Sequence, residues 1–240
     1  MRLFPILLIG TAVLLTAMVV APRTVGHVKG AGEVVKKKLE VAPFHGIDVY
    51  GSVDVEVVRA AVQTVEVEAQ ANIAALVTTE VKNGIWTVRT SEGYSTDKPF
   101  VVRIGLPLLD RVRITGSGDL KSMDSFDVAD VDLAISGSGD IQFKAKATDV
   151  RIAIEGSGDV KVGGTCNTLK AEVAGSGDVK AQDLITNDAD VAVEGSGNIH
   201  VHAKGSLRAR IMGSGDVIMH TNPLSVHESV DGSGAVRPAK

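Results

Sequence analysis

The chain has 240 residues, 44% of them apolar and 22% charged, which excludes intrinsic disorder and leaves length for one or two domains with a sizeable core. Its 25 Lys+Arg against 29 Asp+Glu leave a net charge of -4, which argues against a general nucleic-acid binder. One cysteine, Cys166, excludes an intrachain disulfide and a cysteine-based zinc site, and 26 glycines with only 3% aromatics point to thin stacked layers.

After Met1-Arg2 an uncharged, strongly apolar run extends from Leu3 to Pro22. Residues 1–22 read as a signal peptide or a signal anchor. The run is close to the ~20 residues that span a bilayer. Ala17 to Ala21 offers small residues for cleavage, whereas Pro22 is a poor context for it, so both readings stay open. No cysteine follows, so no lipoprotein anchor is expected. The expected location is the extracytoplasmic bacterial envelope: periplasm, membrane-anchored, or cell surface. Residues 23–38 read as a tether interrupted by Gly26, Gly30 and Gly32. Its Lys36-Lys37-Lys38 cluster either touches lipid head groups or, on the plainer reading, is a solvated stem or strand edge.

Residues 39–240 are expected to form a single β-helix domain. Within it, residues 39–110 carry alternating strands such as Val53-Asp54-Val55-Glu56-Val57 and Thr64-Val65-Glu66-Val67-Glu68, with turn signals at Asn83-Gly84 and Gly105-Leu106-Pro107. Gly51-Ser52-Val53-Asp54 looks like a decayed copy of a motif that recurs later. This part reads as irregular coils capping a solenoid, with a separate small β domain as the alternative.

From residue 111 a repeat takes over. Gly-Ser-Gly begins at Gly116, Gly137, Gly156, Gly175, Gly195, Gly213 and Gly232, with steps of 21, 19, 19, 20, 18 and 19 residues. The fourth position is Asp in five of the seven copies, Asn198 and Ala235 being the others. Two places before the first glycine stand Ile114, Ile135, Ile154, Val173, Val193, Ile211 and Val230. Four places after it stand Leu120, Ile141, Val160, Val179, Ile199, Val217 and Val236. The positions between are mostly polar, and strict alternation with β-branched residues means strand, not helix. A strand repeat of this length must stack on its own copies to bury a core. The arrangement is a parallel β-helix of ~19-residue coils at the ~4.8 Å strand spacing. Propeller blades need ~40 residues and do not fit. Counting in twos, both motif glycines fall inward, where they permit a corner or a close backbone approach, and Ser and Asp fall outward.

The series Phe44-His45-Gly46-Ile47-Asp48-Val49, then Gly84-Ile85-Trp86-Thr87-Val88, then Val101, Arg103, Ile104 and Pro107, leading into serial Gly-Ser-Gly-Asp, resembles the bacterial head GIN domain family over residues 40 to 235. The family is described as heads of autotransporter adhesins. The resemblance implies a right-handed parallel β-helix in an exported protein, and it carries no catalytic motif. Leader and solenoid take up the chain, so a barrel for autotransporter delivery is not expected within it.

Several residues invite chemistry. A column of stacked carboxylates repels itself unless cations or donors intervene, so calcium is one candidate partner. Acceptance of backbone N–H groups in the turn is the favoured reading. His202 and His220 share one offset from their glycines, with His200 nearby, and could hold a transition metal. A His pair on a solenoid face is more often simply surface. Arg111, Arg113, Arg151, Arg208 and Arg210, with Asp132 and Asp190, could engage an acidic polysaccharide; charge pairing between coils is the plainer account. Cys166 reads as a small packed side chain near the turn Gly163-Gly164. No catalytic, cofactor-binding or metal-ligating set is assigned, and no cofactor is expected. The function expected is a non-enzymatic, exported envelope or surface scaffold of adhesin type, with a polysaccharide-acting lyase or hydrolase as the alternative. Its partner would be an envelope or extracellular protein or polysaccharide. Anchoring through the N-terminal segment and self-association through an exposed solenoid end stay open.

Overall fold

Successive side chains of an extended strand stand on opposite faces, so the alternation in each copy commits one set inward and the other to water. The computed structural model describes residues 26–239 and realises this pattern as a parallel β-helix. The leader expected over residues 1–22 lies outside the described residues. Each regular coil has one strand entering the Gly-Ser-Gly-Asp corner and a second leaving it. Asp149–Gly156 enters one such corner and Val160–Gly175 leaves it, running on into the next coil.

The entering strands form face A. They stack in parallel without a register break from Gly46–Gly51 through Arg111–Gly116, Asp130–Gly137 and Asp149–Gly156 up to Ser225–Gly232. Ile114, Ile135, Ile154, Val173, Val193 and Ile211 therefore lie directly above one another, each at most 2% exposed. On face B the row Leu120, Ile141, Val160, Val179, Ile199 and Val217 is buried as completely. Full burial of one such side chain is worth about 1.5–3 kcal/mol, and the rows repeat it in every layer.

Variation in coil length is absorbed on face B. The 21-residue copy interrupts it with a loop between Leu120–Ser122 and Phe126–Asp127. The 20-residue copy shifts register between Lys161 and Gly163, and the next pairing shifts between Lys180 and Ile185. These irregularities take up one extra residue at the first shift and three at the second without disturbing the opposite face.

The N-terminal part differs from a run of irregular coils. Gly46–Gly51 and Asp54–Arg59 make one proper coil, which lies between Arg111–Gly116 and Leu120–Ser122 above and the later segments Ile85–Val88 and Val101–Leu106 below. Thr64–Gln70 then pairs antiparallel beneath Val101–Leu106, and Val34–Lys38 antiparallel beneath that. Within the span read as a tether, His27–Lys29 and Val34–Lys38 are thus strands. The lysine cluster forms the outermost edge, where Lys36 reaches Glu68 at 3.7 Å. A reversed, lysine-rich edge strand ends a stack without offering a template for further pairing. Trp86 is the largest fully buried side chain here; it packs at 5.3 Å from Phe44 and donates its indole N–H to the carbonyl of Thr78 at 3.0 Å.

The opposite end is open. Every residue of Ser225–Gly232 is exposed, and Val226 and Val230, which continue the inward rows, are 44% and 43% exposed. Among the described residues no strand covers them. None of the described helices is long and apolar enough to cross a membrane.

Candidate binding surface

The motif corners are built for stacking. The first glycine of every copy has φ between +129° and +138°, a region that L side chains avoid. A Cβ there would lie 2.1–2.4 Å from the carbonyl oxygen of Gly51 or of the matching glycine one coil below. At the second glycine it would lie 1.9–2.2 Å from a carbonyl oxygen of the coil below. The close approach expected at the corner therefore runs along the solenoid axis, between backbones. Every first-glycine carbonyl except that of the last copy, Gly232, accepts two N–H groups from the next coil, as Gly116 does from Ser138 at 2.9 Å and Gly139 at 3.1 Å.

The Asp column is a ladder of the same kind. Oδ1 of Asp119 accepts the backbone N–H of Asp140 at 2.9 Å, Asp140 that of Asp159 at 2.8 Å, and Asp159 that of Asp178 at 2.8 Å. The donors come from the next coil rather than from the turn itself. Asp54 of the decayed copy starts the ladder, accepting from Asp119 at 3.2 Å. Basic side chains two positions beyond the motif take the second oxygen in two places: Lys180 on Asp159 at 2.5 Å and Arg237 on Asp216 at 2.8 Å. The Asp159 hydrogen bond raises the Lys180 pKa.

The arginine and aspartate candidates lie on face A as inter-coil pairs. Arg111 meets Asp48 at 3.4 Å, Arg151 meets Asp130 at 3.7 Å, and Arg210 meets Asp190 at 3.9 Å. Asp132 stands in register between Arg111 and Arg151, and Asp190 beside Arg208. The structure gathers no single arginine cluster among the described residues.

The histidines assort differently from their sequence offsets. His200 Nδ1 lies 3.0 Å from His220 Nε2, whereas His202 Nδ1 faces the Gln182 carbonyl oxygen at 3.3 Å. His220 lies past the end of the strand Val217–Met219, so equal offsets no longer mean neighbouring rings. Burial first, and then the His220 charge, lower the His200 pKa. Among the described residues no group of three or more His, Cys, Asp or Glu could hold a metal ion. Cys166 is partly buried against the core, and burial raises its pKa. Gly163-Gly164 lies inside the long strand Val160–Gly175 rather than in a free turn.

Two depressions on the surface were not visible in the sequence. On face B, Lys121, Lys144 and Lys161 with Asp183 surround a groove of about 450 Å³ across several coils. Gly163 occupies the outward position between Lys144 and Asp183, and its missing side chain opens the notch. Lys161 stands 3.9 Å from Asp183. At the N-terminal end a recess of about 650 Å³ lies beside the first corner, lined by residues including Tyr50, Asp54 and Tyr94.

Several solved structures of bacterial proteins share this architecture. A "putative adhesin" from Bacteroides fragilis is 21% identical, with 88% of this chain and 100% of that chain covered at a TM-score of 0.81. A "putative adhesin" from Parabacteroides distasonis is 25% identical, covering 89% and 100% at 0.72. A "putative lipid binding protein" from the same species is 22% identical, covering 90% and 100% at 0.75. A comparison with curated proteins found no match. The family model "Putative auto-transporter adhesin, head GIN domain" matches residues 43–223, and the chain belongs to that family.

Proposed function

We propose that the chain is an exported, non-enzymatic scaffold of the cell envelope that acts as an adhesin-like binding surface. The observation that carries this reading is the register of face A. It holds outward positions in fixed rows over successive coils, so a ligand meets a rigid surface many strands long. The ion pairs on it are largely exposed and link neighbouring coils, each worth about 0–1 kcal/mol. They keep the face soluble and ordered without concentrating chemistry at one point. Family membership and the adhesin descriptions of structural neighbours support the same reading.

Cell fractionation, mass determination of the mature N-terminus and protease accessibility on intact cells test it. The expected result is a protein cleaved by external protease, whose deletion reduces attachment of the cells to a surface. A chain that begins at Met1, stays in the inner membrane and resists external protease would overturn the adhesin reading.

One observation favours a second reading. The Lys121–Lys144–Lys161 groove with Asp183 spans several coils, as the site of a β-helix enzyme acting on an acidic polysaccharide would. Release of unsaturated or reducing ends from such a polymer, lost in Lys144→Ala, would establish that reading over the first.

A further inference from the structure

The outward position just before the motif glycine carries Thr115, Ser136, Glu155, Ala174, Glu194, Met212 and Asp231 in successive coils, with no aromatic ring among them. The first coil has Tyr50 there, in register with Thr115 and 44% exposed. Tyr94 lines the same recess, so the chain's two tyrosines converge on one place. Tyr94 comes from Gly93–Ser95, a strand that pairs in parallel with His27–Lys29 to form a small flap. It rests edge-on against the buried Phe100, with ring centroids 5.2 Å apart and planes 69° apart, which holds its ring in place. Among the described residues the other pairs of Phe and Trp rings, Phe44–Trp86 and Phe126–Phe143, belong to the core.

The polar lining is as specific. Asp54 starts the carboxylate ladder and accepts the N–H of Asp119 on Oδ1, which leaves Oδ2 free of that bond. Burial is the main cause of its raised pKa. Ser52 adds a hydroxyl, while that of Thr96 is held inside the protein, donating to Gln70 Oε1 at 2.8 Å and accepting the Lys98 N–H at 3.0 Å. At about 650 Å³ the recess falls in the size range of small-molecule sites, which combine aromatic walls with a few placed polar groups. A tyrosine ring offers an apolar face and a polar tip. A pyranose has the matching surfaces: an apolar C–H face and a rim of hydroxyls. The Asp54 carboxylate accepts hydroxyl donors, and Lys98 lines the same recess, so the two opposite charges leave no net preference for a charged sugar.

We propose that this recess binds a neutral saccharide, with Tyr50 and Tyr94 against the C–H faces of the sugar and Asp54 accepting from its hydroxyls. The inference names a ligand class for the adhesin-like reading and rests on that reading. The test is a titration of the purified protein with the methyl glycosides of glucose, galactose, mannose and fucose, followed by saturation-transfer NMR. Saturable binding of at least one is expected, with transfer strongest to its ring C–H protons. Tyr50→Ala should weaken that binding about tenfold and Tyr50→Phe far less. Tyr50 is exposed, so the thermal midpoint serves as the folding control. Asp54→Asn keeps a side-chain acceptor for the Asp119 N–H, as Asn198 does for Asp216, and should weaken binding without loss of fold. Absence of binding by all four glycosides, or binding unchanged in Tyr50→Ala, would overturn the proposal. Attachment of cells to target surfaces whose glycans have been destroyed by periodate would overturn it as well, and would leave the adhesin reading standing.

Discussion

At the scale of single residues, the motif departs from itself only where the stack permits. Val53 stands where later copies have glycine, and it is buried inside the first coil at 1% exposure. Asn198 replaces Asp but keeps an Oδ1 that accepts the Asp216 N–H at 3.0 Å. Ala235 has no side-chain acceptor, and among the described residues no further coil presents an N–H to it. The same logic separates two glycines of equal φ sign. A Cβ on Gly156 would lie 2.3 Å from the Gly137 carbonyl oxygen, whereas one on Gly51 would meet nothing within 4 Å. Gly51→Ala should therefore cost about 1–2 kcal/mol, the penalty of a left-handed residue alone. Gly156→Ala should cost clearly more, about 3 kcal/mol or above, because a backbone must move as well. Urea unfolding of the two variants measures this. Equal losses would show that stacking is not what the glycines serve.

At the scale of elements, the two faces of the solenoid do different work. Face A keeps register in every layer and sets the architecture, whereas face B takes up the loop and the bulges and so holds the Lys groove and the histidines. The His200–His220 contact gives face B a pH dependence. Burial and the neighbouring ring lower the folded-state His200 pKa below its ordinary 6.5. The unfolded chain then takes up the proton first as pH falls. Stability from this group is complete above about pH 6.5 and falls as pH drops through that value toward the depressed folded-state one. Unfolding midpoints between about pH 7.5 and 5 should show the decline, and His200→Gln should flatten it. A slope unchanged in His200→Gln would assign the decline to other groups.

At the scale of the whole molecule, the two ends are unlike. The N-terminal end closes with antiparallel strands, a lysine edge and the buried Trp86, while the other end leaves the inward rows open at Val226 and Val230. In a stack where each coil contacts mainly its neighbours, stability is a sum of local terms and the last coil has only one neighbour. Native-state hydrogen exchange should therefore be fastest in the amides of Ser225–Gly232 and Val236–Pro238. It should be slowest in Asp130–Gly137 and Asp149–Gly156, which have coils on both sides. Uniform protection along the axis would contradict this picture.

Much of the fold was legible in the residues because a solenoid writes its long-range contacts as a short-range period. Ile135, Ile154 and Val173 name one another as neighbours by spacing alone, and the sequence by itself determined their stacking, the β-helix and the outward placement of Asp and Ser. That inference ends where the period ends. Nothing local reveals that the coil at Gly46 lies between segments that follow it, that Val34–Lys38 runs antiparallel at the edge, or that His220 leaves its strand and meets His200. The recess between Tyr50 and Tyr94 depends on a flap 44 residues away in the chain. Only the tertiary structure decided these features, because without a repeat the distance between two residues is set by packing and loop closure rather than by their separation along the chain.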